Sequence, residues 1–151
     1  MNIINPVLKE HESLTIYGFS SRTCNKDEMN SVTARIPNLW GSFGKSHIRN
    51  DTPGAKTYAV YSNYESDVSG CYDITLGIPL HSEADDLTSI IIKPGAYLCF
   101  QNQGEFPDVV IETWNTIWSF FREHTEYSRA YQTDFEVYLE DNVIEIYIGI
   151  N

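Results

Sequence analysis

The 151-residue chain is 42% hydrophobic and 13% aromatic, with a formal net charge of −11. This composition excludes intrinsic disorder, the length suits one domain with a single good core, and no apolar run approaches the roughly 18 residues of a membrane span. The negative charge repels phosphate backbones and acidic membranes, so no direct nucleic-acid or membrane partner is expected and cationic partners are favoured.

Met1 to Pro6 has neither the basic start nor the apolar stretch of a secretion signal, which makes the expected address cytoplasmic. Leu14 to Phe19 mixes β-branched and aromatic residues and reads as a strand. A polar helix start at Asn25 to Asn30 leads into an apolar stripe of Val32, Ile36, Leu39, Trp40 and Phe43, which Pro37 must kink or divide and Gly44 ends. Thr57 to Tyr64 and Tyr72 to Leu80 read as an antiparallel hairpin, and the acidic stretch His81 to Ser89 as a linker.

The order then begins again. Ile90 to Gln101 is a strand interrupted at Pro94-Gly95. Pro107 opens a helix whose stripe is Val110, Ile111, Trp114, Ile117, Trp118 and Phe121. Phe135 to Leu139 and Val143 to Ile150 form a hairpin over Glu140 to Asn142. Leu39-Trp40 and Phe43 match Ile117-Trp118 and Phe121 at a displacement of 78 residues, Val60-Tyr61 matches Val137-Tyr138 at 77, and Asp73 to Ile78 matches Glu145 to Ile150 at 72. The expected class is α+β: duplicated β-α-β-β units over residues 1–82 and 88–151, giving two antiparallel sheets with a helix each about a pseudo-twofold axis and a central groove.

Glu136 stands where the first half has Ala59, inside Phe135-Glu-Val-Tyr-Leu139. Glutamate is depleted from strands, and an ionised carboxylate that is buried costs several kcal/mol unless it is paired. Alternation puts Glu136 on the face of Tyr138, where the adjacent strand is expected to add Tyr147, and opposite Phe135, Val137 and Leu139. A solvated face with an exposed carboxylate stays open as the alternative. No cofactor or metal is expected: Cys24, Cys71 and Cys99 are odd in number and distant in sequence, without a CxxC pair, and read as reduced thiols. The histidines, His11, His47, His81 and His124, read as exposed and incidental, and no catalytic motif of the phosphate-loop or nucleophile-elbow type is present.

Ile36-Pro-Asn-Leu-Trp40 with Phe43, Tyr58-Ala-Val-Tyr61 with Tyr64-Glu65, Gly104 with Trp114 and Trp118, and Asp134-Phe-Glu-Val-Tyr138 closing on Ile144-Glu-Ile-Tyr-Ile148 together resemble the GyrI-like small-molecule-binding domain. This is the effector-binding domain of AraC-type and MerR-type multidrug-responsive regulators. The resemblance covers nearly the whole chain and implies an aromatic-lined groove for lipophilic organic cations with Glu136 as counter-ion. Tyr138, Tyr147, Tyr61, Trp40, Phe106 and Trp114 are its expected surroundings. Regulators of this type carry a helix-turn-helix module that this chain is too short to accommodate, so the expectation departs from the family pattern: a sensor domain standing alone, without a DNA-binding domain and linked to drug sensing or transcription regulation. A hydrolase of electrophilic toxins with Glu136 as general base, and a protein inhibitor of the gyrase-inhibitory type, stay open as alternatives, and the protein partner would be a regulator or gyrase.

Overall fold

The structure, a computed structural model, describes residues 5–45, 56–66, 69–79 and 87–151. Its elements are β1 (Val7–His11), β2 (Leu14–Cys24), α1 (Asn25–Glu28), α2 (Ile36–Lys45), β3 (Thr57–Ser62), β4 (Cys71–Pro79), β5 (Thr88–Ile92), β6 (Gly95–Gln103), α3 (Asp108–Glu123), β7 (Arg129–Tyr138) and β8 (Val143–Ile150). Among the described residues no helix is long and apolar enough to cross a membrane.

All eight strands form one antiparallel sheet in the order β1-β6-β8-β7-β3-β4-β2-β5. The expected two sheets are thus joined, because β3 and β7 pair along Thr57–Tyr61 and Asp134–Tyr138, with Ala59 directly opposite Glu136. Sequence gives two sets of strands, each with an unpaired edge; joining those edges satisfies the backbone donors and acceptors of both.

Local chemistry explains most boundaries. Pro37 divides the expected stripe: α1 stops at Glu28, a turn follows, and α2 starts at Ile36. Val32 falls in that turn at 88% exposure and so leaves the stripe. Pro94-Gly95 does more than interrupt a strand. It sends β5 to pair with β2 and β6 to pair with β1 and β8, at opposite ends of the sheet. Asp141 and Asn142, both at φ near +60°, make the tight turn between β7 and β8, a conformation these short polar residues tolerate. Most of the expected linker, residues 81–86, lies outside the described residues, and its last two positions, Thr88 and Ser89, belong to β5.

The sheet buries both faces. On one, Leu39 and Phe43 of α2 pack with Tyr72, Ile74, Leu76 and Ile78, while Val109 and Ile117 of α3 pack with Leu98, Phe100, Ile144, Ile146 and Ile148. On the other, Ile16, Val60, Ile92, Tyr97, Cys99, Phe135, Val137 and Tyr147 form a third cluster. His11 joins that cluster, with its ring 4.9 Å from Phe135, and His124 stacks on Phe120 at 4.2 Å; both are half-buried packing groups, which corrects the expectation of exposure. His47 and His81 lie outside the described residues.

Strands β2 and β4 cross at paired glycines. A Cβ on Gly18 would lie 1.8 Å from the Leu76 carbonyl oxygen, and one on Gly77 would lie 2.1 Å from that of Tyr17. Only glycine allows the two backbones to meet there.

Candidate functional site

Helix α2 rests chiefly on β2 and β4, and α3 on β6 and β8. The central strands β3 and β7 therefore lie between the helices, and a cavity of about 490 Å³ opens above them. Trp40 comes to it from α2, Trp114 and Trp118 from α3, Tyr61 and Tyr72 from the first-half strands, Glu136 and Tyr138 from β7, and Phe106 from the segment before α3. All three tryptophans of the chain line this one space.

Glu136 sits in the wall at 2% exposure. Its strand neighbours, Ala59 and Ile146, are fully buried and apolar, and the small Ala59 leaves room for larger rings to reach in. Three ring donors converge on the carboxylate: Tyr61 Oη donates to Oε2 at 2.8 Å, Trp114 Nε1 to Oε2 at 2.6 Å, and Tyr138 Oη to Oε1 at 2.5 Å. Among the described residues the ion pairs are Arg22–Asp73 and Arg129–Asp134, and neither includes Glu136. Burial raises the Glu136 carboxyl above the ordinary glutamate range, while the hydrogen bonds from Trp114, Tyr138 and Tyr61 act to lower it. Burial and the nearby Glu136 charge hold the Tyr61 and Tyr138 hydroxyls well above the usual tyrosine value, so both remain donors.

The cavity's other charges are already engaged. Glu28 accepts from the Arg35 and Ile36 amides at 2.8 and 3.1 Å and from Thr23 Oγ1 at 2.5 Å, closing the start of α2. Arg129 pairs with the fully buried Asp134 at 2.7 Å, and Asp134 also accepts from the Gly149 amide at 2.8 Å and from the Tyr64 hydroxyl. With Arg129 neutralised, Glu136 leaves the ring-lined space with negative potential. Such a space offers apolar and π surface to a flat or globular guest and one carboxylate to a positive centre.

Of the residues expected from sequence, Glu136, Tyr138, Tyr61, Trp40, Phe106 and Trp114 all line the cavity. Trp40 packs edge-on to Phe106 and Tyr138 at 5.5 and 5.0 Å, and Tyr61 edge-on to Trp114 at 5.3 Å. Tyr147 does not join them. The partner of Glu136 on β8 is Ile146, so Tyr147 points to the opposite face, where it stacks on Phe135 at 4.5 Å. Sequence reasoning missed Tyr64, Tyr72, Trp118 and Arg129. Trp118 is one helical turn from Trp114 and was legible as its neighbour. Arg129 was not, because a register irregularity between Arg129 and Asp134, with Tyr131 at φ 51°, brings it back to the cavity.

Residues 7–150 match the family model of the Cass2 integron-associated effector-binding proteins. The chain is 32% identical over 149 residues, covering 88% of its own length and 89% of its relative's, to YobU of Bacillus subtilis strain 168, a protein named as a transcriptional regulator. It is 36% identical, with a TM-score of 0.89, to the crystal structure of an integron cassette protein from the mobile metagenome of Vibrio cholerae, over 97% of this chain and 95% of that one. It also shares its fold, at TM-score 0.77 and 18% identity over 97% and 94% of the two chains, with SAV2435, whose structure holds tetraphenylphosphonium. These matches bear out the GyrI-like resemblance, and the chain belongs to the family of integron-associated effector-binding proteins.

Proposed function

We propose that this chain binds lipophilic organic cations in the cavity between α2 and α3, with Glu136 as counter-ion and the surrounding rings as contact surface. One observation carries the reading: a carboxylate at 2% exposure, held by three ring donors and paired with no basic side chain among the described residues, faces an aromatic cavity. An ionised group in that position costs several kcal/mol in desolvation, which a positive guest offsets. Delocalised cations lose little hydration on entry, and each ring face they meet contributes about 0.5–2 kcal/mol.

The tetraphenylphosphonium held by SAV2435 supports the ligand class, and the name of the Bacillus subtilis relative supports placing this binding in sensing linked to transcription. The duplicated architecture belongs to the same reading. Exchanging β1 with β5, β2 with β6, β3 with β7 and β4 with β8 turns the strand order into its own reverse, which supports a pseudo-twofold axis between β3 and β7. The halves 1–82 and 88–151 then differ at Ala59 and Glu136, so only one of two equivalent positions carries the charge.

Co-crystallisation with tetraphenylphosphonium tests the proposal. The expected result is the cation between Trp40, Trp114 and Tyr138 with its charge beside Glu136. A cation bound elsewhere, or an empty cavity at saturating ligand, overturns it.

A further inference from the structure

The three cysteines read as unrelated in sequence, yet the fold brings two of them together. Cys24 and Cys71 are directly opposite each other in the β2–β4 ladder, at the end where β2 runs into α1. Opposed residues on antiparallel strands have Cα atoms about 4.5–5.5 Å apart, inside the span of about 4.4–6.8 Å that a disulfide bridges, and their side chains leave the same face. Partial burial, Glu65 and the neighbouring Cys24 thiol together push the Cys71 thiol up. Cys24 occupies the N-cap of α1 without making a side-chain capping bond, and both thiols are free and half-exposed, whereas Cys99 is buried.

We propose that Cys24 and Cys71 form a dithiol modification site that a low-molecular-weight disulfide converts to an intramolecular disulfide. One protein thiolate attacks the sulfur–sulfur bond of the small disulfide, forming a mixed disulfide and releasing one small thiol. The second protein sulfur gives up its proton to water and attacks the protein-side sulfur of that bond, forming the Cys24–Cys71 link and releasing the other small thiol. The protein loses two electrons and two protons, and the oxidant is reduced to two thiols. The site lies on the cavity's rim: the next residues along, Asn25 and Tyr72, both line the cavity and are joined by a hydrogen bond from Tyr72 Oη to Asn25 Oδ1 at 3.0 Å. A covalent tie at this point fixes β2, α1 and β4 against one another beneath the rings. The site stands whether or not the cavity takes a cation.

The test is chemical. The full chain is incubated with oxidised glutathione at neutral pH, quenched with acid, alkylated under denaturing conditions and mapped by peptide mass spectrometry, with a dithiothreitol-treated control. The expected product is monomeric, carries a Cys24–Cys71 linked peptide, has lost the two thiol hydrogens and alkylates only at Cys99; dithiothreitol restores three alkylated cysteines. Cys99→Ser still gives the link, while Cys24→Ser and Cys71→Ser each stop at a glutathione mixed disulfide on the remaining partner. Recovery of Cys24 and Cys71 as free thiols, as two separate glutathione adducts, or as a link between chains overturns the proposal.

Discussion

Replacing Glu136 with glutamine removes the charge and keeps the shape. Tyr61 and Trp114 still donate to the remaining carbonyl oxygen, and the Tyr138 hydroxyl turns to accept from the new amide, so all three polar contacts at 2.5–2.8 Å persist. The apolar walls are untouched. A positive centre resting on the rings lies about 4–6 Å from the carboxylate, where unit charges at an effective dielectric near 20 interact by about 3–4 kcal/mol. The amide dipole returns part of this, which leaves a net loss of about 2 kcal/mol, or roughly thirtyfold in affinity. Titration calorimetry with tetraphenylphosphonium reads the affinity. Urea denaturation reads the fold, with a midpoint expected to be equal or higher because the cost of burying a charge has been removed. A Glu136→Gln protein that keeps its fold and binds within about twofold of the parent would refute the counter-ion argument.

Five further outcomes follow from the structure. Burial raises the Glu136 carboxyl above its ordinary value, so affinity for a cation of fixed charge should fall as pH drops through that raised value, a profile absent from Glu136→Gln. Because protonated Glu136 is favoured in the folded state, its contribution to stability is present at low pH and is lost as pH rises through the folded-state value; denaturation midpoints of the parent and Glu136→Gln across pH measure this difference. Trp114→Phe deletes the 2.6 Å donor to Glu136 and should move the binding profile to higher pH, whereas Trp118→Phe, which leaves that bond intact, should not. Asp134→Asn strands the buried Arg129 charge and should cost about 3–5 kcal/mol in urea denaturation, and Gly77→Ala, whose Cβ would meet the Tyr17 carbonyl at 2.1 Å, should cost about 1–3 kcal/mol or more.

Within single elements the sequence was a reliable guide. Alternation along Phe135 to Leu139 separated Glu136 and Tyr138 from Phe135 and Val137 correctly, and the stripe of α3 placed Trp114 over the sheet. The 77-residue displacement that set Glu136 against Ala59 in the repeat also turned out to describe a physical pair across β3 and β7. What failed was register between strands. Tyr147 was assigned to the face of Glu136, but one residue of offset puts Ile146 there, because period two fixes sides within a strand and says nothing about which residue of the next strand lies opposite. The same gap hid the Cys24–Cys71 pair and the joining of two half-sheets into one. Arg129 was hidden differently: the irregularity after it breaks the alternation that would have marked its side.

Charge selectivity is the most direct measure of the central claim. Because Trp40, Trp114 and Trp118 all line the cavity, intrinsic fluorescence reports its occupancy without a label. Titrations with tetraphenylphosphonium and with tetraphenylborate compare guests of nearly the same shape and opposite charge. Saturable quenching by the cation, with none by the anion at equal concentration, is the predicted result. Equal quenching by both would contradict the account, since the cavity would then be selecting for size and apolar surface and Glu136 would have no part in recognition.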